Sequence, residues 1–87
     1  RISETDEGEE HVVRVDGDLN TEAAGSLREH LTRHGTTLLV LDLSEVRSTD
    51  RDGAAFLLEA ERLGLELRGA SPYLRLLIGK GLRDETT

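Results

Sequence analysis

Short apolar segments of two periodicities alternate along this chain. Val12, Val13 and Val15 make His11–Val15 a β-branched strand. Arg1–Thr5 before it is a weaker candidate strand, with Ile2 as its strongly apolar residue. Asp16-Gly17-Asp18 then reads as a turn. Asn20 or Thr21 can cap a helix with Glu22 in its first turn, and Gly35 is a natural stop. Within it Ala24, Leu27 and Leu31 fall on one face, at i, i+3 and i+7.

The period then changes. Leu38–Leu43 is almost uninterrupted apolar sequence, the pattern of a central strand covered on both faces. Ser44–Asp52 reads as a polar loop. A second helix over Gly53–Leu63, ended by Gly64, should turn Gly53, Phe56, Leu57, Ala60 and Leu63 toward the sheet. Its opposite side carries Ala54, Leu58, Glu61 and Arg62, so Leu58 is expected to point away from the core. Leu65–Arg68 alternates like a half-covered strand. Ser71-Pro72 is a specific helix start, because a serine cap precedes a proline at the first helical position. Leu74, Leu77 and Ile78 form that helix's buried stripe, and Gly79-Lys80-Gly81 reads as its end. The order β-β-α-β-α-β-α predicts an α/β fold with a mixed, mostly parallel sheet and three helices.

Eighty-seven residues make one domain, 1–87, with its core over about 11–82 and frayed ends at the acidic start and at Arg83–Thr87. With no Cys there is no disulfide framework, thiolate metal site or cysteine nucleophile, which fits a cytoplasmic setting. The longest apolar run falls far short of the ~20 residues that span a bilayer, so no direct membrane insertion is expected. The chain opens on Arg1 and contains no Met, and so reads as a piece of something longer.

A formal net charge of −7, with one Phe, one Tyr and no Trp, disfavours nucleic acid as a partner. The acids between Glu4 and Glu10 read as a solvated turn, the rival being a docking surface for a basic partner.

Chemical motifs are sparse. His30 and His34, at i, i+4, share a helix face that can hold a metal, but no third ligand is evident, and exposed histidines are the better reading. Ser48, Asp50, Asp52, Gly53 and Glu59 match EF-hand positions 1, 3, 5, 6 and 12. Ser at position 1, a strand entering the loop and the helical core pattern Ala54-Ala55-Phe56-Leu57 count against calcium. Gly79-Lys80-Gly81 lacks the rest of a phosphate-binding loop. No motif orders Ser, His and Asp for catalysis, so neither an enzyme nor a cofactor is expected.

Asp50, three residues before Gly53, can cap the free N–H groups of the second helix, and Asp52 sits where the helix dipole favours negative charge. Both residues have this plain helix-starting role as an alternative to a functional one.

In order and spacing, these pieces resemble the STAS domain family (sulfate transporter and anti-sigma-factor antagonist). Val15-Asp16-Gly17-Asp18-Leu19-Asn20 looks like its strand-to-helix opening, with Asn20 where Asp is usual. Leu39-Val40-Leu41-Asp42-Leu43-Ser44, Val46 and Asp50-Arg51-Asp52-Gly53 resemble its core signature, and Leu67, Ser71-Pro72 and Leu76–Leu82 its closing strand and helix. The resemblance implies a non-catalytic domain that binds a protein in partner switching, an anti-sigma factor of the serine-kinase type. Its surface would comprise Ser48, Thr49, Asp50, Arg51, Asp52, Gly53, Ala54 and Leu58. The family's phosphorylated Ser or Thr is replaced by Asp52, while Ser48 and Thr49 keep hydroxyls in the same loop. The alternative implied is a regulatory STAS domain of an anion transporter or a STAS subunit of a lipid-transport complex.

Overall fold

A mixed sheet backed by helices is what the alternating periods build. The computed structural model describes residues 1–35 and 39–86, with side chains through Gly79. In chain order the elements are β1 (Ile2–Glu7), β2 (Glu10–Val15), β3 (Gly17–Leu19), α1 (Thr21–His34), β4 (Leu39–Asp42), β5 (Val46–Thr49), α2 (Arg51–Arg62), β6 (Glu66–Arg68) and α3 (Pro72–Thr86). The main sheet runs β1-β2-β4-β6; β1 is antiparallel to β2, and the other two pairings are parallel. This is the expected α/β class. Leu38, expected to open the central strand, lies outside the described residues.

Two short strands replace predicted irregular segments. Gly17–Leu19, overlapping the expected Asp16–Asp18 turn, and Val46–Thr49, within the expected polar loop, pair in parallel as a second small sheet. Neither has a hydrophobic alternation to betray it; only pairing with the other gives each its backbone partners. The acidic start also differs. It is the edge strand β1, joined to β2 by the two-residue turn Gly8-Glu9, with Gly8 at φ 67° where a side chain is disfavoured.

Alternation along the strands settles the two faces. Val13, Val15, Leu39, Leu41 and Leu43 join Ala24, Leu27, Phe56, Leu57, Ala60, Leu74 and Ile78 in one cluster, so all three helices pack on that side. Each fully buried Leu or Phe contributes about 1.5–3 kcal/mol relative to exposure. Val12 and Val40 point to the other face and are also buried, outside that cluster. β4 is therefore buried on both faces, as its unbroken apolar run predicts, but the helices cover only one.

Helix ends follow their sequence signals, with two exceptions. Asn20 caps α1 through Ala23 N–H, and Ser71 Oγ accepts from Leu74 N–H at 3.2 Å ahead of Pro72. Leu63, expected to meet the sheet, is instead the C-cap of α2 and 50% exposed, at the end of the helix. Nor does Gly79-Lys80-Gly81 end α3, which runs to Thr86 across the segment expected to fray. Glycine lowers helix propensity without forbidding it. Among the described residues, no helix is long and apolar enough to cross a membrane.

Candidate functional site

The N-termini of α1 and α2 lie side by side, and the Ser48–Gly53 segment joins them. β3 leads into α1 and β5 leads into α2, so pairing of these two strands delivers both helix starts to one end of the molecule. Each helix start carries unpaired N–H groups and about half a positive charge.

Asp50 serves both. Its Oδ1 accepts from Gly53 N–H at 2.8 Å, capping α2, and its Oδ2 accepts from Thr21 N–H at 3.2 Å, at the first residue of α1. Asp52, in the first turn of α2, accepts from the Thr21 hydroxyl at 2.6 Å. Two exposed carboxylates are thus held against two positive helix ends, with Thr21 between them. Sequence reading placed Asp50 and Asp52 here but missed Thr21. Its only signal was its position beside a capping asparagine, and that says nothing of a residue 31 positions away.

The neighbours divide into surface and support. Arg51 is exposed. Ser48 is exposed too and donates its hydroxyl to Asp18 Oδ1 at 2.6 Å. Thr49 is half-buried, and its Oγ1 donates to Leu19 carbonyl oxygen at 3.0 Å. Gly53 is buried because α2 starts directly against β3: a Cβ there would collide with Leu19 O and Thr49 Oγ1. This glycine serves close approach, since its backbone is helical.

Ala54 is half-buried, and Leu58 is half-buried against the core cluster. Leu58 therefore does not point wholly away from the core, as the helical wheel suggested; neighbouring elements wrap further around α2 than one flat sheet would. Arg28 approaches the same helix from α1, pairing with Glu59 at 3.3 Å and lying 5.6 Å over the Phe56 ring.

The calcium reading does not assemble. Both Asp50 oxygens cap helices, and Glu59 faces Arg28. The histidine reading changes more. His30 is buried at 7% exposure instead of lying on the surface, and His11 and Glu4 join His30 and His34 across the sheet edge. Further donor groups, which spacing along the chain does not reveal, therefore stand beside these two histidines.

A protein-family model described as "Mlab, STAS domain" matches residues 2–79. No curated protein matches the sequence. The solved structure of the anti-sigma factor antagonist SpoIIAA in its unphosphorylated form superposes with a TM-score of 0.65 at 17% identity, covering 99% of this chain and 97% of that one. A structure described as a crystal structure analysis of Mglu gives a TM-score of 0.63 at 24% identity over 80% of this chain, which spans 19% of that protein. The SpoIIAA likeness extends over the whole fold, and the family match takes in every strand and the first half of α3. On that match, this chain belongs to the STAS domain family.

Proposed function

We propose that this domain is a non-catalytic, cytoplasmic interaction module of the anti-sigma-factor antagonist kind. It docks through Ser48–Ala54 and the first turns of α2 onto an anti-sigma factor of the serine-kinase type. The observation that carries this reading is the pair of exposed carboxylates, Asp50 and Asp52, held at two converging helix N-termini. Such a place is built to hold negative charge on a surface a partner can reach. A phosphoserine there would bring about −1.5 to −2 charge and three acceptor oxygens, whereas Asp52 brings one fixed charge. In this reading Asp52 keeps the surface in a phosphorylated-like state, and the switch is biased rather than cycled.

The test is Asp52→Ser. The variant should keep its fold, because one exposed charge at a helix start contributes only about 0.3–1 kcal/mol. Against a kinase captured with the parent chain, it should bind at least about tenfold more tightly, ~1.4 kcal/mol, and accept phosphate at residue 52. Arg51→Glu, on the exposed side of the same turn, should weaken the complex. Leu58 is unsuited as a control, since its contact with the core would mix stability with binding. Two variants that bind like the parent would show that this loop is not the interface. Capture of a membrane-transport complex instead of a kinase would favour the transporter-associated alternative.

A further inference from the structure

All three histidines of the chain meet at the opposite end of the sheet from the Asp50–Gly53 loop. α1 separates the two places: it begins beside Asp52 and ends at His34, the last of its 14 residues, or about 20 Å away at ~1.5 Å per residue. Strand alternation explains the gathering. Glu4 and Asp6 lie on the face of β1 that carries Val13 and the helices, and His11 stands opposite Asp6 in β2. The last turns of α1 bring His30 and His34 over them.

The donor atoms converge on one carboxylate. Glu4 Oε1 is 2.8 Å from His11 Nε2 and 4.0 Å from His34 Nε2, and one ligand atom from each of the three residues lies within 4.8 Å of the others. Tetrahedral zinc, with Zn–N of ~2.0–2.1 Å, needs ligand edges of roughly 3.3 Å. Closing that gap would fall to the Glu4 and His34 side chains, which are exposed.

Outer contacts fix the rings as metal ligands require. His11 Nδ1 lies 2.7 Å from Asp6 Oδ1 and Nε2 2.8 Å from Glu4 Oε1, so Asp6 holds the ring from its outer side, as the outer carboxylate does in carboxylate–histidine–metal sites. His30 Nδ1 lies 2.9 Å from Ser26 carbonyl oxygen, which can only accept. The buried His30 Nε2 lies 3.1 Å from Glu4 Oε2, so this ring also faces the same carboxylate. The His11 and His34 rings stack at 4.5 Å, so an ion beside Glu4 would be within reach of a nitrogen from each.

We propose that Glu4, His11 and His34 bind a divalent transition-metal ion of the zinc type, with water completing a four-coordinate shell. Imidazole and carboxylate together suit zinc and its neighbours rather than magnesium, which prefers oxygen ligands and retains water.

The probe is ZnCl₂ titrated calorimetrically into the tag-free chain at pH 7.5 in a non-chelating buffer. The expected result is one ion per chain with micromolar or tighter affinity, and visible bands of four-coordinate cobalt when Co²⁺ replaces Zn²⁺. His34→Ala, whose side chain is 41% exposed, should melt like the parent without metal and bind zinc at least about tenfold more weakly. His11→Gln should weaken it similarly. MgCl₂ at the same concentration should leave the parent's melting temperature unchanged while ZnCl₂ raises it. No saturation below millimolar zinc, unaltered binding by both variants, or equal effects of Mg²⁺ and Zn²⁺ would each overturn the site.

Discussion

Asp42 shows how a residue at the end of a central strand acquires a defined task. Its Oδ1 accepts from both the amide and the hydroxyl of Ser44, at 3.0 and 2.7 Å, turning the chain out of β4. Those bonds, the hydroxyl's first, hold its carboxyl below the usual range; Arg14 and Arg68, on either side in the sheet register, add to the effect, and partial burial opposes it. A depressed folded-state pKa means stability that is present above the unfolded value of about 3.9 and lost as pH falls through the folded one. Asp42→Asn should therefore cost about 1 kcal/mol at pH 7, the difference between a charged and a neutral acceptor. The gap between parent and variant should close below about pH 4 in acid-unfolding curves. A gap that stays constant down to pH 2 would assign the cost to geometry and not to charge.

At the scale of elements, the pairing of β3 with β5 decides where α1 and α2 begin, and Asp50 ties the two helix starts together. A cap usually serves one helix and contributes about 1 kcal/mol. Asp50 satisfies an N–H in each, so Asp50→Ala should lose roughly 2 kcal/mol in urea unfolding, at the upper end for caps. Asp50→Asn should recover about half of that, since its amide oxygen can still accept from Gly53 N–H while its NH₂ cannot accept from Thr21 N–H. Equal losses for both variants would mean that the charge at the paired dipoles matters more than the hydrogen bonds.

For the whole molecule, Gly53 is where the small sheet and the helix layer come closest. The Leu19 carbonyl that a Cβ would strike already accepts from Asp50 N–H and Thr49 Oγ1, so neither partner can retreat without breaking those bonds. Overpacking typically costs about 1–3 kcal/mol. Gly53→Ala meets fixed backbone instead of a flexible side chain, and its loss should reach about 3 kcal/mol or more, read as a lower urea midpoint. A midpoint within error of the parent's would mean that α2 can slide along β3 freely.

Much of this architecture is local chemistry written in order. The valines of β2, the leucines of β4, the capping residues Asn20, Asp50 and Ser71 and the proline at position 72 each act over a few positions, so periodicity and capping rules place their elements. Resemblance to the STAS pattern was legible for the same reason: it is a sequence of such local signals. What lacked a local signature was decided in three dimensions. β3 and β5 exist because each supplies the other's hydrogen bonds, and Thr21 reaches Asp52 only once two strands have paired. The acidic run and the histidines show the limit most clearly. Glu4, His11, His30 and His34 are ordinary polar residues along the chain. Strand alternation and helix packing turn them toward one another, and long-range pairing of that kind cannot be read from spacing.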